Sequence, residues 1–213
     1  MQNLWGLIIS YLFIGIVIIS SRIFQKYGEE ASRKYIHIAL VGWWPIAMIF
    51  FNNTLCALIG PISFVIINYL SYKKDLIKTM ERSKKDGLGT VYYAISLVLM
   101  VIYTFEIVKR PALGFCGMSI MCIGDGFASI IGKKVKSYEY KIGNTKKTIA
   151  GSITMFLITF IIYSVFLINF GTQFWLIKSI LVSILLTIVE AVSIKGTDNI
   201  TVPVIATLLV SIM

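Results

Sequence analysis

Three carboxylates stand where an apolar helix should not carry them. Asp125 lies inside "IGDGFASIIGKK" (123–134), Glu190 falls about one turn before the end of another apolar run, and Asp198 comes just before the last one. A carboxylate in hydrocarbon is costly unless it is paired, faces a cavity or does chemistry. Clustered carboxylate oxygens are the usual ligands of a hard divalent cation, so Asp125, Glu190 and Asp198 are candidate catalytic residues and candidate ligands for Mg2+. Glu106 lies at the opposite end of its run and is set apart from this group. Glu29, Glu30, Asp75, Glu81, Asp86 and Glu139 fall in hydrated connections.

A second element is basic. In "KKVKSYEYKIGNTKKTIAGS" (133–152), Lys133 and Lys134 open the connection, and Lys146, Lys147 and Thr148 precede a helix that begins with Gly151 and Ser152. Lysines and free amides at a helix N-terminus suit phosphate. Beside metal-binding carboxylates they suggest a nucleoside triphosphate, with oxygen ligands for magnesium on one side and lysines for the phosphates on the other. "GDGFAS" is not a dinucleotide fingerprint, because no strand precedes it, and no G-x-x-x-x-G-K-[ST] occurs. His37 is the sole histidine and sits one turn after Arg33, so both can face one side at the mouth of a span, where a substrate-binding role is open.

The elements that must position these groups are membrane helices. The chain of 213 residues is 57% hydrophobic and 14% charged, with a mean hydropathy of +0.85, which places it outside the soluble globular range. Runs near the ~20 residues needed to cross a bilayer core fall at 4–21, 36–51, 54–70, 90–107, 111–132, 148–170, 174–194 and 200–213. The expected fold is therefore all-α and polytopic, with about eight transmembrane helices in one catalytic domain covering 1–213. The second and eighth spans are the shortest. The first lacks a basic leader and a cleavage site, so it is expected to be retained.

Net charge is +10, but its distribution argues against a nucleic-acid partner. Of 20 Lys and Arg, 17 fall in the first, third, fifth and seventh connections. By the positive-inside rule those connections are cytoplasmic and both termini lie on the other side. Attraction to anionic lipid accounts for most of them. Cys56, Cys116 and Cys122 lie in apolar runs without ligand spacing and read as small core residues. Gly124, Ala128 and Gly132 recur every fourth residue, a stripe that permits close helix approach and could serve a homodimer as readily as internal packing. Asp125 and Ser129 run beside it. Ser179, Ser183, Thr187 and Glu190 make a polar seam on the seventh span.

The ordered motifs "RKYIHI" (33–38), "GTVYYAI" (89–95), "GDGFASIIGKK" (124–134), "KKTIAGSITMF" (146–156) and "VEAVSIKGTDNITVP" (189–203) resemble the CTP-dependent lipid-alcohol kinases, a family that includes phytol kinase, dolichol kinase and the fungal-type diacylglycerol kinase. The likeness runs from about residue 30 to the C-terminus and is closest to the phytol-kinase branch. It implies transfer of the terminal phosphoryl group of CTP, or less readily ATP, to the hydroxyl of a membrane lipid alcohol at the cytoplasmic face of a multi-pass membrane protein. Carried over by motif, the resemblance assigns Asp125, Lys147, Glu190 and Asp198 to catalysis. It also places Lys146, Lys147, Thr148, Gly151, Ser152 and Asn199 with the nucleotide, and Arg33, Lys34 and His37 with the acceptor, while Lys133 and Lys134, which begin the phosphate-facing loop, are nucleotide candidates by position. One departure is that "VEAVSIKG" lacks the proline that many relatives carry near the late glutamate.

Two other readings compete. A phosphatidate cytidylyltransferase also joins CTP to a membrane lipid, but its long C-terminal signature is absent. A small transporter would place its acids near the midplane within paired repeats, whereas here they gather toward one surface and no repeat is found.

Overall fold

The computed structural model describes residues 1–74, 88–143 and 145–213. Most of the basic third connection, including Lys78, Arg82, Lys84 and Lys85 with Asp75, Glu81 and Asp86, lies outside the described residues.

Among the described residues, ten α-helices run in the order α1 (Gln2–Ser21), α2 (Glu29–Ala39), α3 (Trp43–Phe50), α4 (Thr54–Lys74), α5 (Gly89–Val101), α6 (Pro111–Ser119), α7 (Gly126–Lys134), α8 (Ile149–Asn169), α9 (Trp175–Val192) and α10 (Asp198–Ser211). A π-helical turn, Ile102–Ile107, prolongs α5, and another, Ile120–Asp125, joins α6 to α7 without a break in helical backbone. The all-α, polytopic expectation holds. Among the described residues, six helical stretches are long and apolar enough to cross a membrane: Gln2–Tyr27, Thr54–Lys74, Gly89–Ile107, Pro111–Lys134, Ile149–Asn169 and Trp175–Val192.

The remaining two expected spans have different forms. Residues 29–50 fold as α2 and α3 joined by a tight turn at Leu40–Gly42. α2 carries Glu29, Glu30, Arg33, Lys34 and His37, too many polar groups for a lipid-facing helix, and it packs inward against α7. α10 rises only about 21 Å and packs against α5, α6 and α9. The fifth connection, expected as a loop, is an antiparallel hairpin of β1 (Glu139–Ile142) and β2 (Thr145–Thr148), with Tyr140 opposite Lys147.

Local sequence explains the ends. Gly28, at φ 104°, turns the chain into α2, whose first turn holds Glu29 and Glu30 against the positive end of the helix dipole. Pro111 opens α6, where its missing N–H costs nothing. Thr148 caps α8 by accepting the Gly151 amide at 3.1 Å. The interior between helices is filled by large side chains such as Trp44, Met118, Met121, Tyr163 and Leu186, and the Trp44 indole donates to the Pro111 carbonyl at 2.8 Å, tying α3 to the start of α6.

Candidate active site

Asp125 closes the π-helical turn, and the residue after it is a glycine because α2 passes directly over that point. A Cβ on Gly126 would run into the Ile38 side chain. The close approach brings one face of α2 onto the carboxylate. Lys34 Nζ donates to Asp125 Oδ2 at 2.7 Å, and His37 Nε2 lies 3.4 Å from the same oxygen and 3.4 Å from the Met121 carbonyl. Lys34 and Asp125 are 5% and 8% exposed, so each charge depends on the other for compensation. Arg33, one residue before Lys34, pairs with Glu30.

The hairpin supplies the second cation. Adjacent strand residues point to opposite faces, and β2 uses this to separate its two lysines. Lys147 turns inward, forms an ion pair with Glu190 and donates to the Glu190 backbone carbonyl at 3.1 Å. Lys146 turns outward, 3.7 Å from Glu139. Burial works against charge on Lys147, but Glu190, Asp198 and Asp125 together outweigh it and hold its pKa above the ordinary lysine value. The Tyr140 hydroxyl meets Ser152 at 2.6 Å and pins the hairpin to α8.

The small-residue stripe is engaged within the chain. A Cβ on Gly132 would lie 2.5 Å from Thr148 Oγ1, and one on Gly151 would lie 3.0 Å from the Ala128 carbonyl, so α7 and α8 cross with almost no side chain between them. That crossing uses the stripe for packing within one chain. On the polar seam of α9, Ser179, Ser183 and Glu190 are buried.

Asp198 opens α10, and Asn199 donates its side-chain amide to the Gly196 carbonyl at 3.1 Å, holding the turn between α9 and α10. The result is a cluster in which carboxylate oxygens of Asp125, Glu190 and Asp198 all lie within 4.8 Å of one another. Such hard oxygen donors fit Mg2+, for which one or two of the three would suffice while phosphates and water complete its shell.

Two cavities meet at this cluster. The larger, about 370 Å³, is bordered by Ser129, Lys133, Lys146, Lys147, Gly151 and Ser152. The smaller, about 100 Å³, is bordered by Arg33, His37, Asn68, Thr90, Tyr93 and Asn199. Lys34, Asp125, Gly196 and Asp198 line both. The sequence-predicted residues thus fall into two groups around a shared wall. Lys133 is exposed and lies 3.4 Å from Glu30, while Lys134, also exposed, lies outside the lining of either cavity. Sequence reasoning missed the direct contact of Lys34 with Asp125, which no spacing rule connects across 91 positions. It also left out Ser129 and Lys195 as lining residues. Ser129 carried a usable signal, its place one helical turn after Asp125.

Fold and site define a multi-pass membrane protein whose buried acids and lysines meet between a charge-lined cavity and a narrower one. No protein-family model matches the chain, and no solved structure matches it. Curated proteins do. The chain is 29% identical to the phytol kinase of Synechocystis sp. over 93% of its own length and 86% of the relative's. It is 30% identical to a probable chloroplastic phytol kinase of Triticum aestivum, covering 87% of this chain and 67% of that one. With phytol kinase 1, chloroplastic, of Arabidopsis thaliana it shares 30% identity over 85% of its own length and 65% of the relative's. The chain belongs to the phytol-kinase branch of the lipid kinases.

Proposed function

We propose that this protein transfers the terminal phosphoryl group of CTP to the hydroxyl of an isoprenoid alcohol of the phytol class, at the cytoplasmic face of its membrane. The observation that carries this reading is the shared wall of two unlike cavities. Lysines and helix-start amides on one side suit the nucleotide phosphates, and Asp125 and Asp198 between the cavities reach both.

In this mechanism the acceptor oxygen attacks the terminal phosphorus in line, the bond from that phosphorus to the bridging oxygen breaks, and CDP leaves. Lys147 and the amides near Gly151 offset charge on the phosphate oxygens. Asp198 orients the hydroxyl and accepts its proton. Asp125, with Glu190 or Asp198, would hold Mg2+, which supplies charge neutralisation on the phosphates when bound. Lys34 and His37 fix the Asp125 carboxylate in place. Lys133, Lys146, Thr148 and Ser152 complete the nucleotide side, while Arg33 and Asn199 border the acceptor cavity, although the sequence places Asn199 on the nucleotide side.

A competition assay tests the choice of substrates. The purified protein, supplied with magnesium, equal CTP and ATP, and equal phytol and diacylglycerol, should form phytyl phosphate with CTP as the preferred donor, and EDTA should stop it. Preference for ATP or for diacylglycerol would overturn the corresponding half of the proposal. Turnover undiminished by EDTA would remove magnesium from it.

A further inference from the structure

The smaller cavity does not end at its polar residues. Its deep wall, Leu40, Phe64 and Tyr93, is also the near wall of a slot of about 20 Å³ whose other lining residues are Ile14, Trp43, Gly60, Pro61 and Leu97. The polar atoms of this lining are turned away. The Tyr93 hydroxyl meets Cys122 Sγ at 3.3 Å, and the Trp43 indole donates to Ser10 Oγ at 3.0 Å. The slot therefore presents carbon.

Two helices run along the path in step. On α4 it passes from Asn68 to Phe64 to Gly60, and on α5 from Gly89 to Tyr93 to Leu97. Fourth-residue spacing keeps each set on one helix face, and a rise of 1.5 Å per residue makes each path about 12 Å long. Polarity falls along it, from Asn68 and Thr90 near the acids to aliphatic and aromatic side chains below.

Gly60 adds a second, independent observation. It is buried, yet a Cβ placed on it would meet nothing within 4 Å. Protein interiors are close-packed, so open space beside a buried glycine is a vacancy kept along the helix. Pro61 follows immediately, and Ser63 Oγ donates to the Gly60 carbonyl at 2.8 Å within the same turn.

We infer that the smaller cavity and this slot together mark the path of the acceptor alcohol's hydrocarbon tail, with the hydroxyl beside Asp125 and Asp198, and that the slot is the constriction at which Gly60 and Leu97 set which tail lengths are accepted. The inference rests on the kinase reading and specifies where its second substrate lies.

The test uses the full chain in nanodiscs with CTP and magnesium, and geraniol, farnesol and phytol as acceptors of increasing length. Gly60→Leu should lower kcat/KM for phytol at least about tenfold relative to geraniol, the scale on which filling an apolar pocket discriminates. Gly60→Ala should fall between, and KM for CTP should stay at the wild-type value. An equal effect on all three alcohols, or none, would overturn the assignment. Photolabelling of the wild type with a phytol analogue carrying a diazirine on the distal half of its tail keeps the inference testable if the variants fold poorly. Label competed by phytol should appear at α4 and α5 around Gly60 and Leu97; label confined to lipid-facing residues would contradict it. Wild-type protein that phosphorylates no alcohol would sink the kinase reading itself, and photolabelling then reports on the slot separately.

Discussion

At the scale of residues, Asp125 carries the heaviest demand. It is buried, paired with Lys34 and within reach of two other carboxylates. Asp125→Asn is expected to reduce transfer about a hundredfold or more, the scale seen when a group stabilising transition-state charge is removed. It also leaves Lys34 charged and unpaired, at about 3–5 kcal/mol for a broken buried pair. The double variant Asp125→Asn with Lys34→Met separates the two effects. Its thermal midpoint should recover toward wild type while activity stays lost, and recovery of activity would contradict the proposed role of the carboxylate. Lys147 makes a different prediction. Its pKa is raised in the folded protein, so its contribution to stability is fully present below the unfolded value of about 10.4 and fades only as pH rises through the higher folded value. KM for CTP should therefore stay level from about pH 6 to about pH 9 with respect to this group. A rise across that window that Lys147→Arg displaces would show that Lys147 titrates there. The acids were legible in the sequence because depth in an apolar run marks a carboxylate. Their pairing with Lys34 and Lys147 was not, since these groups meet only through tertiary packing.

At the scale of elements, small residues decide how close the helices come. Gly117 on α6 faces α10 so closely that a Cβ would stand 2.6 Å from the Pro203 backbone carbonyl and against Thr207. Backbone cannot yield as a side-chain tip can, so Gly117→Ala should lower the thermal midpoint in detergent by several degrees, reflecting about 1–3 kcal/mol of overpacking. Gly15 on α1 meets nothing within 4 Å, and Gly15→Ala should leave the midpoint unchanged. Equal shifts in the two variants would contradict the close α6–α10 contact. The helix stripes of α7 and α9 could be read from periodicity. The hairpin was overlooked although "YEYKI" alternates and Gly143-Asn144 is a turn signal. The π-helical turn that ends at Asp125 has no sequence marker of comparable strength.

At the scale of the whole molecule, the site is shared between long apolar helices, which carry Asp125 and Glu190, and shorter elements, which carry Lys34, His37, Lys147 and Asp198. Hydropathy also marks α2 with α3, and α10, as spans; in the structure these are shorter helices, with α2 packed against α7 and α10 against α5, α6 and α9. In the proposed mechanism this arrangement would let one site draw reactants from two phases, a charged nucleotide through the lysine-lined cavity and an apolar alcohol through the narrower one. The most direct test follows phosphorus. Two parallel reactions with phytol and magnesium would use CTP labelled on its terminal phosphate or on the phosphate next to the ribose. The account predicts that the terminal label enters the lipid in step with CDP release while the inner label stays in the nucleotide. Inner label in the lipid with pyrophosphate released, or no label in the lipid from either, would contradict it.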